Sequence, residues 1–251
     1  MGDNVEKRLD DLGINGLKIY QCPNYFCFGV DAVILSDFAK SIKSGAVVMD
    51  IGTGNGILPL LLSAKTSLNK IVGVEIQTPL YNLATENVKL NNLTEKIELI
   101  NCDINNINEK YERNSFDVII SNPPYKKHNS GIVNDNEFIK IAKHEIKCTL
   151  ENIFEKSKYL LNDKGQLYMV HRPDRLVDII SLARQYNLEP KEIRYVHSKI
   201  SEPPILILIK CVKYGKPFLK TLKPLIIYKE DGTYTDEIYN IYGKDIKYEK
   251  G

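Results

Sequence analysis

Seven apolar runs of strand length, at about 46–51, 70–75, 96–101, 115–121, 165–170, 190–197 and 204–213, are interleaved with segments of helical periodicity at about 56–66, 78–91, 146–161 and 173–186. This alternation constrains the fold more than any single motif. Strands separated by helix-length crossovers pair in parallel, and the helices cover both faces of the resulting sheet. The expected fold class is α/β, a doubly wound, mostly parallel seven-stranded sheet. Such sheets bind ligands beyond the carboxyl ends of their strands, at the point where strand order reverses. Gly52, Glu75, Asp103 and Asn122 all fall at such ends.

The first run leads into Asp50-Ile51-Gly52-Thr53-Gly54-Asn55-Gly56 and then an apolar helix. Glycines here permit a tight turn and close approach of a ligand, and the next helix opens with unpaired N–H groups. The spacing differs from the dinucleotide fingerprint GxGxxG, and Asp50 precedes the first glycine, where it would repel a pyrophosphate. A cationic ligand suits the loop better. Glu75 closes the second run and is placed to accept hydrogen bonds from ribose hydroxyls. Asp103, followed by Ile104, closes the third and faces an adenine amine. S-adenosylmethionine, with its positive charges, ribose and adenine, satisfies all three carboxylates; Asp50, Gly52, Thr53, Gly54, Gly56, Glu75, Asp103, Ile104 and Asn122 are its expected contacts.

The fourth run, Phe116 to Ser121, is closed by Asn122-Pro123-Pro124-Tyr125. Two successive prolines fix φ twice and push Asn122 towards the extended region. An amide side chain and a following carbonyl are thereby held at the strand edge as two acceptors. An exocyclic amine is a poor nucleophile because its lone pair is delocalised. Acceptors gripping its N–H bonds draw the nitrogen towards tetrahedral geometry, while Tyr125 stacks on the planar group. A plain strand-ending turn is the competing reading of Asn-Pro.

The ordered set Asp-Ile-Gly-Thr-Gly-Asn-Gly, Glu75, Asp103 and Asn-Pro-Pro-Tyr resembles the class I (Rossmann-like) S-adenosylmethionine-dependent methyltransferases of the amino-nitrogen type. More closely, the chain resembles the bacterial tRNA (adenine-N6) methyltransferases that act on the adenosine at tRNA position 37, beside the anticodon of a valine tRNA. The likeness extends to Phe28-Gly29-Val30-Asp31-Ala32, Lys143-His144-Glu145, Val170-His171-Arg172-Pro173, Glu189-Pro190-Lys191 and Tyr234-Thr235-Asp236-Glu237. It implies catalysis by Asn122, Pro123, Pro124 and Tyr125, with S-adenosylmethionine as cofactor and tRNA as substrate. The four-residue motif also serves methylation of a release-factor glutamine, of guanine N2 in ribosomal RNA and of DNA adenine. It specifies the nitrogen, and the polymer stays open. A noncatalytic RNA-binding protein on the same scaffold and a nicotinamide-dependent enzyme are the other readings.

Residues 1–44 form an expected leader or cap, with a helical pattern from Val30 to Ile42 and with Phe26, Phe28 and Asp31 placed to contact the cofactor, packing against the sheet being the competing role for Phe26 and Phe28. Residues 45–213 are the expected methyltransferase core, and 214–251 a C-terminal extension, with a strand at Pro224–Tyr228 and an Asp231-Gly232 turn making a small hairpin. The long loop from Lys126 to about Ala142 adjoins the catalytic motif and is expected to order over the target nucleotide. Lys126, Lys127, His144 and Arg172 are the candidate substrate contacts; an ion pair is the competing role for Arg172. No strong general base is needed, because the amine proton can leave after transfer.

Net charge is only +2, which argues against nonspecific wrapping of nucleic acid, yet from Lys191 to Lys229 nine basic residues face two acidic ones. Such a cluster either tracks phosphates or is a solvated surface. The five cysteines form no CxxC pair, so neither a disulfide framework nor a metal site is expected. No run approaches a membrane span and the N-terminus lacks a signal peptide's apolar core. A cytoplasmic monomer without a stable protein partner is the expectation.

Overall fold

The computed structural model describes residues 7–23, 28–124 and 148–243. A two-stranded antiparallel hairpin opens it, β1 (Arg8–Asp11) with β2 (Lys18–Gln21), followed by α1 (Val30–Phe38). The sheet is then built from β3 (Val47–Ile51), β4 (Lys70–Glu75), β5 (Ile97–Asn101), β6 (Phe116–Ser121), β7 (Leu161–His171), β8 (Leu188–His197) and β9 (Pro204–Lys213). Helices α2 (Ile57–Lys65), α3 (Thr78–Leu90), α4 (Leu150–Leu160) and α5 (Leu176–Gln185) connect them, and a tight turn of 3-10 helix spans Ile104–Glu109.

Strand order across the sheet is β5-β4-β3-β6-β7-β9-β8. The first five of these pair in parallel; β9 is inserted antiparallel between β7 and β8. The expected seven strands are present, and two additions of two residues each, β10 (Lys220–Thr221) and β11 (Leu225–Ile226), pair in parallel with the outer edge of β8 to make nine. Alternation along each strand divides the core into two layers. Val48, Ile71, Val118, Ile120 and Leu208 face a layer containing α1 and α2, and Met49, Val72, Ile119, Met169 and Ile209 face one containing α4 and α5.

Local chemistry explains the helix boundaries. Thr149 caps α4 reciprocally with Asn152: the Asn152 amide donates to the Thr149 hydroxyl at 3.1 Å, and the Thr149 amide donates to Asn152 Oδ1 at 3.0 Å. In α2, Ile57 to Leu62 are buried without a break, because this helix packs both on the sheet and against α1, its neighbour in the same layer.

Towards both ends, the described residues carry elements beyond the sequence expectation: the β1–β2 hairpin and a last short helix. The Asp231-Gly232 turn is present, with the Lys229 amide donating to the Thr233 carbonyl at 2.8 Å and Tyr228 bridging antiparallel to Tyr234. Beyond it the chain forms α6 (Asp236–Ile241), whose Ile238 and Ile241 join Leu12, Leu17 and Ile19 of the leader and Val33 of α1 in one apolar cluster. Four-residue strands and a six-residue helix are too short to show a period in sequence, and this packing is what holds them.

Candidate active site

The chain leaves β3 for β4 and β5 on one side and returns through β6 on the other, so the carboxyl ends of β3 and β6 flank the switch point. The buried Ser121 hydroxyl ties these ends together by donating to the Ile51 carbonyl at 2.9 Å.

Gly52, Gly54 and Gly56 have φ of +77°, +59° and +85°, the left-handed region that disfavours side chains. They let the loop fold down on β4. The amides of Gly52 and Thr53 both donate to the Val74 carbonyl, at 2.9 and 3.0 Å, and the Gly54 amide donates to Glu75 Oε2 at 2.9 Å. A Cβ added at Gly52 or Gly54 would meet nothing within 4 Å, whereas one at Gly56 would lie 3.3 Å from the Ala84 Cβ. The loop is closed by packing at its helix end and open where a ligand would lie.

Asp50 is fully buried beneath this loop, and neither of its carboxylate oxygens has a hydrogen-bond partner among the described residues. Burial pushes its carboxyl up to about 7, with Glu75 adding to the rise and the nearby Thr53 hydroxyl opposing it. An unpaired carboxylate in such a place is stabilised by a cation. Glu75 is 5% exposed. Its Oε2 accepts from Gly54 and its Oε1 from the Gln77 amide at 2.8 Å. Burial raises its carboxyl above the ordinary range while these backbone donors hold it down.

At the end of β5, the Cys102 amide donates to the Glu75 carbonyl at 3.2 Å. Asp103 Oδ1 caps the Ile104–Glu109 turn by accepting from the Asn105 amide at 2.9 Å, and Ile104 is buried. Asn122 follows the Ile51–Ser121 pair directly, so it emerges beside Gly52. Its Oδ1 is buried and has no partner among the described residues. Pro123 is buried and Pro124 exposed.

The other expected contacts divide. Tyr125, Lys126, Lys127 and His144, together with Phe26 and Glu145, lie outside the described residues. Asp31 is buried in the first turn of α1, where its Oδ1 accepts from the Ala32 amide at 3.0 Å. Phe28 lines a cavity of about 110 Å³ together with Asp11, Leu12, Lys65, Ile241 and Tyr242, and no glycine-loop residue lines it. The Arg172 fork is taken by Asp174, with the closest contact 3.0 Å. Its neighbour His171 is 4% exposed, accepts the Arg172 amide on Nδ1 at 2.8 Å and is pushed down to about 4, chiefly by burial, which leaves it neutral.

Two residues escaped the sequence reading. Asn87 of α3 is fully buried; its amide nitrogen donates to the carbonyls of Tyr20 (3.0 Å) and Asn55 (2.9 Å), and its Oδ1 accepts the Tyr20 amide at 2.6 Å. It thereby joins the leader strand to the glycine loop. The signal was an asparagine on the stripe formed by Leu80, Leu83, Ala84 and Val88. Cys148, kept protonated by burial and pushed up to about 12, lies close enough to Asp103 and Glu75 for their charges to add to the rise. A lone cysteine ahead of a helix offers no signal.

The residues present fit S-adenosylmethionine. A buried carboxylate awaits a cation, a loop with open space above it sits at the switch point, and acids stand at the ends of β4 and just beyond β5. Among the described residues no group of three or more His, Cys, Asp or Glu is arranged to hold a metal ion, and no helix is long and apolar enough to cross a membrane.

The chain is 27% identical over 217 residues, 83% of its length and 84% of the relative's, to the tRNA1(Val) (adenine(37)-N6)-methyltransferase of Porphyromonas gingivalis. Among solved structures, a predicted O-methyltransferase from Agrobacterium tumefaciens superposes with a TM-score of 0.66 at 18% identity, covering 86% of this chain and 98% of that one. TYW2 of M. jannaschii, solved in complex with AdoMet, superposes with a TM-score of 0.55 at 14% identity over 84% and 87% of the two chains. Residues 29–180, more than half the chain and including the glycine loop, Glu75, Asp103 and Asn122, match a single family description. The chain therefore belongs to the methyltransferase small domain family.

Proposed function

We propose that this protein transfers a methyl group from S-adenosylmethionine to the exocyclic N6 of an adenosine in tRNA, at position 37 beside the anticodon of a valine tRNA. The observation that carries the reading is the buried Oδ1 of Asn122, without a partner among the described residues, emerging beside the glycine loop that covers Asp50. The relative from P. gingivalis, matched over most of both chains, supports the choice of base and polymer.

The bound cofactor supplies an electrophilic methyl group on a sulfonium. Asp50 would balance its charge, Glu75 would offer its remaining lone pairs to the ribose hydroxyls, and Asp103 would accept from the adenine amine. Asn122 Oδ1 and the Pro123 carbonyl accept the two N6 hydrogens, turning the nitrogen lone pair towards the methyl carbon. Positioning and aimed dipoles supply most of the acceleration. The amine proton passes to water after transfer, so His171, neutral and buried, need not act as a base. Extruding a base from an anticodon loop costs less than from a duplex, where a few kcal/mol is typical. Acting on tRNA places the protein in the cytoplasm.

The test is transfer of labelled methyl to unmodified bulk tRNA, followed by nucleoside mass spectrometry. N6-methyladenosine is the expected product, lost when position 37 of a valine tRNA transcript is changed to guanosine. Absence of label, with cofactor binding shown separately, overturns the tRNA reading and directs the assay to release factor, ribosomal RNA and DNA in that order.

A further inference from the structure

Most of the basic stretch is consumed by the fold. Arg194 pairs with Glu237 at 2.7 Å, Lys210 with Glu192 at 3.6 Å and Lys229 with Asp236 at 2.8 Å. Lys199 donates to the Glu230 carbonyl, and Lys213 is buried against the Leu161 carbonyl and Asn114. Lys191 donates to three successive carbonyls, those of Lys216, Pro217 and Phe218, at 3.0, 3.1 and 2.9 Å. Three members of the cluster, Lys216, Lys220 and Lys223, are exposed, and they lie in the one segment among the described residues, Tyr214 to Pro224, that also exposes large aromatic rings.

The loop is built to hold those rings outward. Phe218 is 87% exposed, with Tyr214 (47%) and Leu219 (41%) beside it in sequence. Tyr214 and Phe218 both have positive φ, +53° and +95°, which bulky side chains rarely adopt. The strain is maintained by charge: Lys191 grips the carbonyls of residues 216–218, and Lys164 donates to the Tyr214 carbonyl at 2.5 Å. Strained backbone held rigidly by its surroundings is found where a surface has work to do. No Asp or Glu occurs from Tyr214 to Lys229, and the carboxylate of Glu189, packed against Gly215, is paired with Arg184 at 3.0 Å. The patch is cationic and aromatic, and the chemistry that matches it is a polyanion bearing planar bases.

Resting on the tRNA reading above, we propose that the Tyr214–Lys223 loop is a second RNA-contact surface, with Phe218 stacking on an unpaired base of the tRNA and Lys216, Lys220 and Lys223 meeting phosphates. β10 begins beside Glu192 on the outer edge of β8, four strands across from β6, and the loop leads into it from Lys213, which pairs with Leu188 at the amino end of β8. Four strand spacings of about 4.8 Å put the loop roughly 20 Å across the sheet from Asn122, so it grips a part of the RNA outside the target nucleotide. A single nucleotide held at the active site would not reach it.

The chain contains no tryptophan, so F218W places a single fluorescent reporter on the loop while keeping a stacking ring. Adding tRNA is expected to quench that emission. In methyl transfer, F218A is expected to raise KM for tRNA about ten-fold with kcat, cofactor affinity and melting temperature unchanged, and F218W to restore KM. Replacing Lys216, Lys220 and Lys223 together by alanine flattens the salt dependence of tRNA binding by about one unit of log–log slope for each lost phosphate contact. Unquenched F218W, with wild-type KM in F218A on a tRNA that the enzyme does methylate, overturns the proposal and leaves the loop to a protein partner. Failure of the wild-type enzyme to methylate any tRNA would instead sink the functional reading, and the fluorescence titration reads the contact independently of it.

Discussion

Glu75 Oε2 accepts the amide hydrogen of Gly54 at 2.9 Å, so the acid that ends β4 is also a strut of the loop that ends β3. One side chain thus sets the height of the glycine loop and offers lone pairs to the ligand held there. Replacing Glu75 by alanine removes both, and Glu75→Gln keeps an acceptor oxygen but halves the carboxylate. Cofactor affinity measured by calorimetry is expected to fall at least ten-fold in the alanine variant, by about 1.4 kcal/mol or more, and by less in the glutamine variant. Unchanged affinity in Glu75→Ala would remove this residue from the ribose role.

Asn122 is expected to act on transfer rather than on cofactor binding, because its Oδ1, without a partner among the described residues, lies at the strand end and outside the glycine loop. Asn122→Ala should lower kcat by about 10²–10³, the range for loss of one aimed polar group, with cofactor affinity within two-fold or so of wild type. Equal loss of both would assign Asn122 to shaping the cofactor site.

Asp50 makes stability depend on pH in an unusual direction. Its native carboxyl, near 7, lies above the ordinary value of 3.8, so between these limits the native state holds the extra proton. Its contribution to stability is therefore present at low pH and lost as pH rises to about 7. A cationic ligand reverses the preference, so cofactor binding should tighten as pH rises towards 7 and release a proton below it. Asp50→Asn should raise the melting temperature of the free protein near pH 8, by about 2–4 °C per kcal/mol recovered, and make cofactor binding weak and independent of pH. Melts and calorimetry in buffers of different ionisation enthalpy check both. A pH-independent difference between the two proteins would show that Asp50 is ionised throughout.

Gly56→Ala combines a left-handed φ of +85° with a Cβ 3.3 Å from that of Ala84. It should cost about 1–2 kcal/mol from the backbone alone, with the contact adding to it, and be visible as a lower denaturant midpoint with unchanged slope.

Asn87→Leu keeps the volume of a buried position but leaves the carbonyls of Tyr20 and Asn55 and the amide of Tyr20 without their partner. The expected loss is about 2–4 kcal/mol, since unmet buried groups cost more than the bonds they made. Limited proteolysis should cut the leader of this variant faster than that of wild type; equal rates would show that Asn87 does not hold β2.

Strand and helix positions, the glycine loop and the acids at strand ends were legible because each is written in a short stretch of chain: a period of two or 3.6 residues, a run of glycines, a polar residue closing an apolar run. Right-handed crossovers restrict how such units can pair, and the particular order β5-β4-β3-β6-β7 was decided by the packing of the whole sheet. What tertiary structure alone decided depends on partners far apart in sequence. The leader hairpin and α6 are too short to form by propensity and exist because Leu12, Ile19, Ile238 and Ile241 share a core with α1. The basic stretch was visible as composition, yet only the fold spent six of its nine charges on carboxylates and carbonyls and left Lys216, Lys220 and Lys223 beside Phe218. Asp50 was readable as an acid before glycine; its burial without a partner among the described residues, which suits it to a cation, came from the closing of β4, β6 and the loop around it.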